Sequence, residues 1–256
     1  MRTKSASLAA LLLAGLALAG CGKDTGRVLQ GWVEADLIFV SPDQQGRVVT
    51  LSVREGDAVK TSAPLFTIDD DLQQADLTVQ KAAVTNAQQS FDRAKELLKT
   101  QAGTQKTYDD AEAALRQAKA NLEASQTRLT RRTVFSPGDG TIEQIYYRPG
   151  ETVPAMRPVV ALLPPANLKL RFFAPQALVP EIKYGETVEV SCDGCDKGLT
   201  AKVTFISRSA EFTPPVIYSL EERAKLVFLI EAHPAHPEKF RVGQPVTVTV
   251  PKEPPQ

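Results

Sequence analysis

GRVVTLSVREGDAVKTSAPLFTI, Gly46 to Ile68, is matched without a gap by GTIEQIYYRPGETVPAMRPVVAL, Gly140 to Leu162. Glycines coincide at Gly46/Gly140 and Gly56/Gly150. Arg54 meets Arg148, Val59 meets Val153 and Pro64 meets Pro158. Acids match at Asp57/Glu151, and branched apolar residues at Val48/Ile142 and Leu51/Ile145. A Ser-Pro pair introduces each copy, Ser41-Pro42 and Ser136-Pro137. Within each copy apolar residues alternate with polar ones, a Gly-acid turn reverses the chain, and a second apolar run follows. That pattern predicts short strands around tight turns. One such unit is too small to bury a core, so the two copies are expected to face each other.

The chain has 256 residues, room for one to three domains, and its 43% hydrophobic content argues against wholesale disorder. The formal net charge of zero argues against a nucleic-acid binder, which would carry a basic patch or stripe. The N-terminus reads as a targeting segment. Arg2 and Lys4 precede an apolar run from Leu8 to Leu18, too short to span a bilayer comfortably. The run ends Leu18-Ala19-Gly20-Cys21, which looks like a bacterial lipobox. Residues 1–20 are therefore expected to be a lipoprotein signal and Cys21 the lipidated residue. Several acyl chains anchor stably where one does not. The expected mature protein is periplasmic, lipid-anchored and slightly negative, because residues 1–20 hold Arg2, Lys4 and no acid.

Residues 21–30 are expected to be a tether, and Gly31 to Val40 a strand. After the first repeat, Asp69-Asp70-Asp71 suits the positive end of a helix dipole. From Leu72 to about Arg131 there is no proline and a single glycine, so helix is favoured. Leu77, Val84, Phe91 and Leu98 recur every seven residues, with Ala87 and Ala94 between them. Tyr108, Leu115, Leu122 and Leu129 do the same, with Ala111, Ala118 and Ser125. Two heptad seams joined by a turn at Gly103 predict an antiparallel coiled-coil hairpin over 70–132, with arms of about 45 Å at 1.5 Å per residue. Beyond Asn167 come five short apolar runs: Leu168–Phe172, Thr187–Val190, Leu199–Ile206, Leu226–Ile230 and Val246–Val250. They predict a small barrel or sandwich. Glu221–Arg223 is expected to be a one-turn cap or loop, and 251–256 a tail.

The repeat, the hairpin and the trailing strands together resemble the HlyD-type periplasmic adaptor family, also called membrane fusion proteins, over nearly all of the mature chain. The resemblance implies a mixed β and α nested architecture. The segments 40–69 and 133–164 form one lipoyl-like β-domain split by the α-hairpin, and 31–39 with 165–250 form a small β-barrel. It implies a non-enzymatic adaptor, without cofactor, linking an inner-membrane transporter to a TolC-like outer-membrane duct. It further implies self-assembly into a ring, commonly a hexamer. Family members that dock on such ducts carry Arg, Leu four residues on and Ser seven residues later, which here fall on Arg93, Leu97 and Thr104. The stretch FTPPVIYSLEERAKLVFLIEA, Phe212 to Ala232, resembles adaptors of ATP-driven (ABC-type) transporters more than those of proton-driven pumps, which stand as the alternative.

Carrier domains share the lipoyl-like fold, but no modifiable Lys in Glu-Ala-Met-Lys or Asp-Lys context occupies the point where the halves join. Cys192 and Cys195 form a C-x-x-C in SCDGCDK. An oxidising compartment favours a disulfide between them across the Asp193-Gly194 turn. The alternatives are free thiols and a zinc set completed by His233 and His236, which would belong to a metal- or redox-handling lipoprotein. Trp32 and Phe172-Phe173 are expected in the core. No phosphate loop, nucleophile elbow or HExxH occurs, so no enzyme constellation and no metal site is assigned.

Overall fold

The structure, a computed structural model, describes residues 27–212 and 226–251. The expected signal segment, Cys21, the cap or loop expected at Glu221–Arg223 and most of the expected tail lie outside the described residues, as does most of the stretch whose resemblance is to adaptors of ATP-driven systems. The described residues divide into two compact units, 36–167 and, in the second, 27–35 together with 168–212 and 226–251.

The first unit contains β2 (Ile38–Val40), β3 (Gly46–Leu51), β4 (Ala58–Val59) and β5 (Pro64–Ile68). Two helices follow, α1 (Asp71–Lys99) and α2 (Gln105–Thr130). The unit closes with β6 (Thr133–Phe135), β7 (Gly140–Ile145), β8 (Thr152–Val153) and β9 (Val160–Leu163). The strands form two sheets, β2-β9-β7-β4 and β6-β5-β3-β8. Each sheet therefore takes two strands from one copy of the repeat, one from the other, and the strand that precedes a copy, β2 or β6. Equivalent pairings recur: Val59 with Gly140 answers Gly46 with Val153, and Val40 with Val160 answers Val134 with Phe66. Inward-facing Val48, Leu65, Phe66, Ile142, Val153 and Val159 are essentially inaccessible. Burying each such side chain contributes about 1.5–3 kcal/mol. Neither copy can bury its own apolar face, because the strands that cover it belong to the other.

The helical segment leaves between β5 and β6. Its first free amide, Asp71 N–H, donates to the Asp69 carboxylate at 3.3 Å, and the same carboxylate group holds Arg47 at 2.8 Å. α1 stops where the amides of Ala102 and Gly103 both return to the Leu97 carbonyl at 2.9 Å, with Gln101 left-handed at φ 59°. Thr104 caps α2, its hydroxyl accepting from Thr107 N–H at 3.2 Å. Phe91 and Tyr108 stack 5.3 Å apart near this turn, and Arg128 binds Asp76 at 2.8 Å toward the other end. The helices thus run in opposite directions along one seam. Ala94, Leu115, Ala118 and Ser125 are its buried members, and the other large seam residues, among them Leu77, Phe91, Tyr108 and Leu122, are half-buried.

The second unit comprises β1 (Val28–Ala35), β10 (Leu168–Pro175), β11 (Thr187–Ser191), β12 (Leu199–Phe212), β13 (Leu226–Pro234) and β14 (Pro245–Thr249). They hydrogen-bond in the closed order β1-β10-β13-β12-β11-β14. Every second residue of β10 points inward, so Leu168, Leu170, Phe172 and Ala174 are buried. Gly31 pairs with Phe172, and a β-carbon at Gly31 would lie 2.4 Å from the Arg171 carbonyl oxygen. Close approach of the two strands therefore requires glycine there.

Four expectations need correction. The strand expected over 31–40 is broken at Asp36-Leu37. Asp36 N–H donates to the Asn167 carbonyl at 3.1 Å, and the Asn167 side chain returns a bond at 2.8 Å. Residues 36–39 therefore lie in the first unit, not with the later strands. Val28 to Gln30, expected in the tether, pair with β14, because the inward alternation already begins at Leu29. Trp32 is not core: it is 37% exposed, on the outward register of β1, stacked 5.8 Å from Phe173 with Arg171 nearby. Finally, β12 continues past Ile206 to Phe212, through register shifts between Val203 and Phe205 and between Ile206 and Ala210. Those shifts hide the continuation from an alternation rule.

Candidate functional site

Three places carry groups not consumed by packing. The first is the turn between α1 and α2. Arg93, Leu97 and Thr104 are all exposed there. Arg93 is held by Ser90, its guanidinium donating to the hydroxyl at 3.1 Å, and has no carboxylate partner among the described residues. Leu97 is 48% exposed although its carbonyl anchors the turn. Gly103 packs so closely on Leu97 that a β-carbon there would meet the leucine β-carbon at 3.0 Å. The three expected residues are thus spread over the last turns of α1 and the cap of α2. The Thr104 hydroxyl also serves the helix cap, which the sequence reading did not assign to it.

The second place was not singled out in the sequence. At the other end of the helices, Pro42, Ile68, Ala124, Arg128, Arg131 and Arg132 line a cleft of about 480 Å³. Arg131 binds Asp43 at 3.0 Å, while Arg132 forks onto the Gln45 carbonyl at 3.1 Å and the Gln44 side chain at 3.2 Å. Arg128 holds the Asp76 carboxyl down to about 2 by donating to it, with Gln80 assisting. The basic run Arg128-Leu-Thr-Arg-Arg was the available signal, hidden because a helix end attracts cations anyway. These arginines tie the helices to the loop that opens the first repeat. Asp139 ties the two copies together elsewhere: it accepts from Thr61 N–H at 2.7 Å and from the Thr61 hydroxyl at 2.8 Å, which with Lys60 lowers its pKa.

The third place is the Cys192–Cys195 pair. The structure joins the two sulfurs, with Cα atoms 5.3 Å apart. His233 pairs with Lys202 in the sheet, and His236 contacts Glu238 at 3.2 Å. Among the described residues, no three His, Cys, Asp or Glu side chains are grouped so as to hold a metal ion. The four residues of the alternative zinc set are not brought together.

No family model matches the chain. A UPF0194 membrane protein of Acidithiobacillus ferridurans is 26% identical to it over 291 aligned positions, covering 87% of this chain and 86% of the relative. Among solved structures, a MacA–MexA chimeric protein containing the Pseudomonas aeruginosa MexA α-hairpin domain superposes with a TM-score of 0.69. Its identity is 22%, over 86% of this chain and 78% of that one. A membrane fusion protein of Streptococcus pneumoniae superposes with a TM-score of 0.68 at 17% identity, over 88% of this chain and 100% of that one. The chain therefore has the mixed β fold with two long helices found in membrane fusion proteins. Among the described residues no helix is long and apolar enough to cross a membrane.

Proposed function

We propose that this protein is a non-enzymatic periplasmic adaptor of the HlyD type, serving an export system. The observation that carries the reading is the weave of the first unit. Two quasi-equivalent halves lock each other, and two helices of 29 and 26 residues leave from between them. Such a lipoyl-like domain turns a solvated helical hairpin of about 40 Å into a firmly rooted arm, at 1.5 Å per residue. The closed six-stranded sheet is the small barrel of such an adaptor. The barrel and a lipidated Cys21 sit on an inner-membrane transporter, for which the sequence favours the ATP-driven class. The hairpin tip meets a TolC-like duct through Arg93, Leu97 and Thr104, and copies assemble into a ring. The fold likeness to the MacA–MexA chimera supports this reading.

The test is photocrosslinking in cells. A photoreactive side chain replaces Gln101 at the tip and, separately, Glu189 on the barrel exterior. The tip probe is expected to capture an outer-membrane duct subunit and the barrel probe an inner-membrane transporter subunit, identified by mass spectrometry. Capture of neither class above the level of an unphotolysed control would overturn the proposal.

A further inference from the structure

The Cys192–Cys195 bridge faces a built cleft. Cys195 lines a depression of about 540 Å³ together with Gly194, Asp196, Lys239, Arg241 and Gln244. That volume suits a small molecule. Both cysteines rest against the buried core of the closed sheet, so the bridge has a packed side and an open side. At Gly194 and Gly198 a β-carbon would meet no atom of the described residues within 4 Å. Gln244 donates its side-chain amide to Cys195 Sγ at 3.4 Å. Lys239 is matched by Asp196 at 2.7 Å. Arg241 uses only its backbone, donating N–H to Gln244 Oε1 at 3.0 Å, and its guanidinium has no acidic partner among the described residues. The residues that line the cleft therefore carry one unmatched positive charge, Arg241, beside the partly buried Cys195, while the exposed Asp193 lies in the turn between the cysteines, outside that lining. Exposed cysteine sulfur in an electropositive setting is where thiol chemistry concentrates.

The bridge also closes a ring with only two residues between its cysteines, so its removal releases little chain entropy. The strands that flank it are held independently by the Val190–Leu199 and Val188–Ala201 pairings. Opening the bridge would free the 192–198 loop without opening the sheet.

We infer that Cys192–Cys195 is a reactive disulfide whose cleft admits a small anionic thiol, with Arg241 selecting the charge and Cys195 receiving the attack. The incoming thiolate bonds to Cys195 Sγ, the S–S bond breaks, and its electron pair leaves on Cys192 Sγ, which takes a proton from solvent. A second thiolate attacks the incoming sulfur of the mixed disulfide and expels Cys195, which is then protonated. Two small-molecule thiols become one disulfide, and the protein bridge gains two electrons and two protons. The inference is independent of the adaptor reading.

The experiment uses the full-length chain in detergent, with reduced glutathione as the anionic probe and cysteamine as the cationic one. Bridge opening is followed by alkylation and intact mass at equal thiolate concentrations. Glutathione is expected to react about 10-fold faster than cysteamine in the wild type, the scale of charge focusing in a one-sign cleft. Arg241→Glu is expected to remove or reverse that preference. In acid-quenched wild-type protein, the glutathione adduct should map to Cys195 and the free thiol to Cys192. Equal rates for the two probes in the folded wild type, or a bridge that opens only in denaturant, would overturn the inference without any variant having to fold.

Discussion

Val48 and Ile142 make the same hydrogen bond, each into the other's half: Val48 N–H donates to the Glu151 carbonyl at 2.9 Å, and Ile142 N–H to the Asp57 carbonyl at 2.9 Å. The turns that supply those carbonyls match as well. Arg54 N–H is capped by the Asp57 carboxylate at 2.8 Å and Arg148 N–H by the Glu151 carboxylate at 2.8 Å. Gly56 and Gly150 hold φ of 90° and 96° between them. Even Ser62 and Met156 share a left-handed conformation at the matching place, φ 64° and 61°.

The two turns should consequently respond alike to substitution. Gly56→Ala and Gly150→Ala each place a β-carbon in the left-handed region, which costs about 1–2 kcal/mol. A β-carbon meets no atom of the described residues within 4 Å at either site, so the cost is conformational, not steric. Chemical denaturation should give matching losses for the two variants and an approximately additive loss for the double variant. A large effect at one site and none at the other would break the equivalence.

Much of this weave is legible in the sequence, because the repeat carries its turn glycines and turn acids at one constant offset. The interleaving was not legible. Alternation says which residues point inward, but not whether Val59 pairs within its own copy or, as it does, with Gly140 of the other. The boundary at Asp36 was missed for a related reason: Ile38 to Val40 pair with β9, a partner that local sequence cannot name. At the helical turn, spacing located Arg93, Leu97 and Thr104 but not the cap that Thr104 provides. The root arginines stayed hidden because their meaning lies in Asp43, Gln44 and Gln45, on the far side of the inserted helices.

The Arg128–Asp76 tie predicts an acid-sensitive base of the helical pair. Donation from Arg128 first, then from Gln80, lowers the Asp76 pKa from 3.8 to about 2. A depressed carboxyl pKa means that the unfolded chain takes up a proton before the native state does. Its contribution to stability is therefore complete above about 3.8 and is lost as the pH falls through about 2. Asp76→Asn removes the charge at every pH. The difference in helical melting temperature between the wild type and Asp76→Asn should be largest near pH 6 and shrink toward zero near pH 2. A difference that stays constant across this range would show that the ion pair is not its source.

Gly31→Ala probes closure of the second unit. The added β-carbon would sit 2.4 Å from the Arg171 carbonyl oxygen and 2.7 Å from the Phe172 β-carbon. β1 must then move away from β10, and Trp32 moves with it. The cost should exceed the roughly 1–3 kcal/mol typical of overpacking, because backbone and not a flexible side chain blocks the way. Quenching of Trp32 fluorescence by iodide should increase in this variant. Unchanged quenching and stability would mean that the two strands are less closely apposed than Gly31 implies.

Arg93→Asp tests docking apart from folding. Arg93 is exposed, and its only side-chain partner among the described residues is the Ser90 hydroxyl at 3.1 Å. Reversing its charge removes no buried contact, so the effect on stability should stay within about 0.5 kcal/mol, as for most surface substitutions. If the tip meets a duct through this guanidinium, a carboxylate there would face carbonyls or acids with the wrong sign, and like-charge apposition costs several kcal/mol at an interface. Export by cells carrying Arg93→Asp should fall by at least 10-fold while circular dichroism and membrane-associated protein levels match the wild type. Arg93→Lys should retain part of the activity, since it keeps the charge but loses the planar fork. Wild-type export by the aspartate variant would remove Arg93 from the docking surface and leave it an ordinary solvated charge.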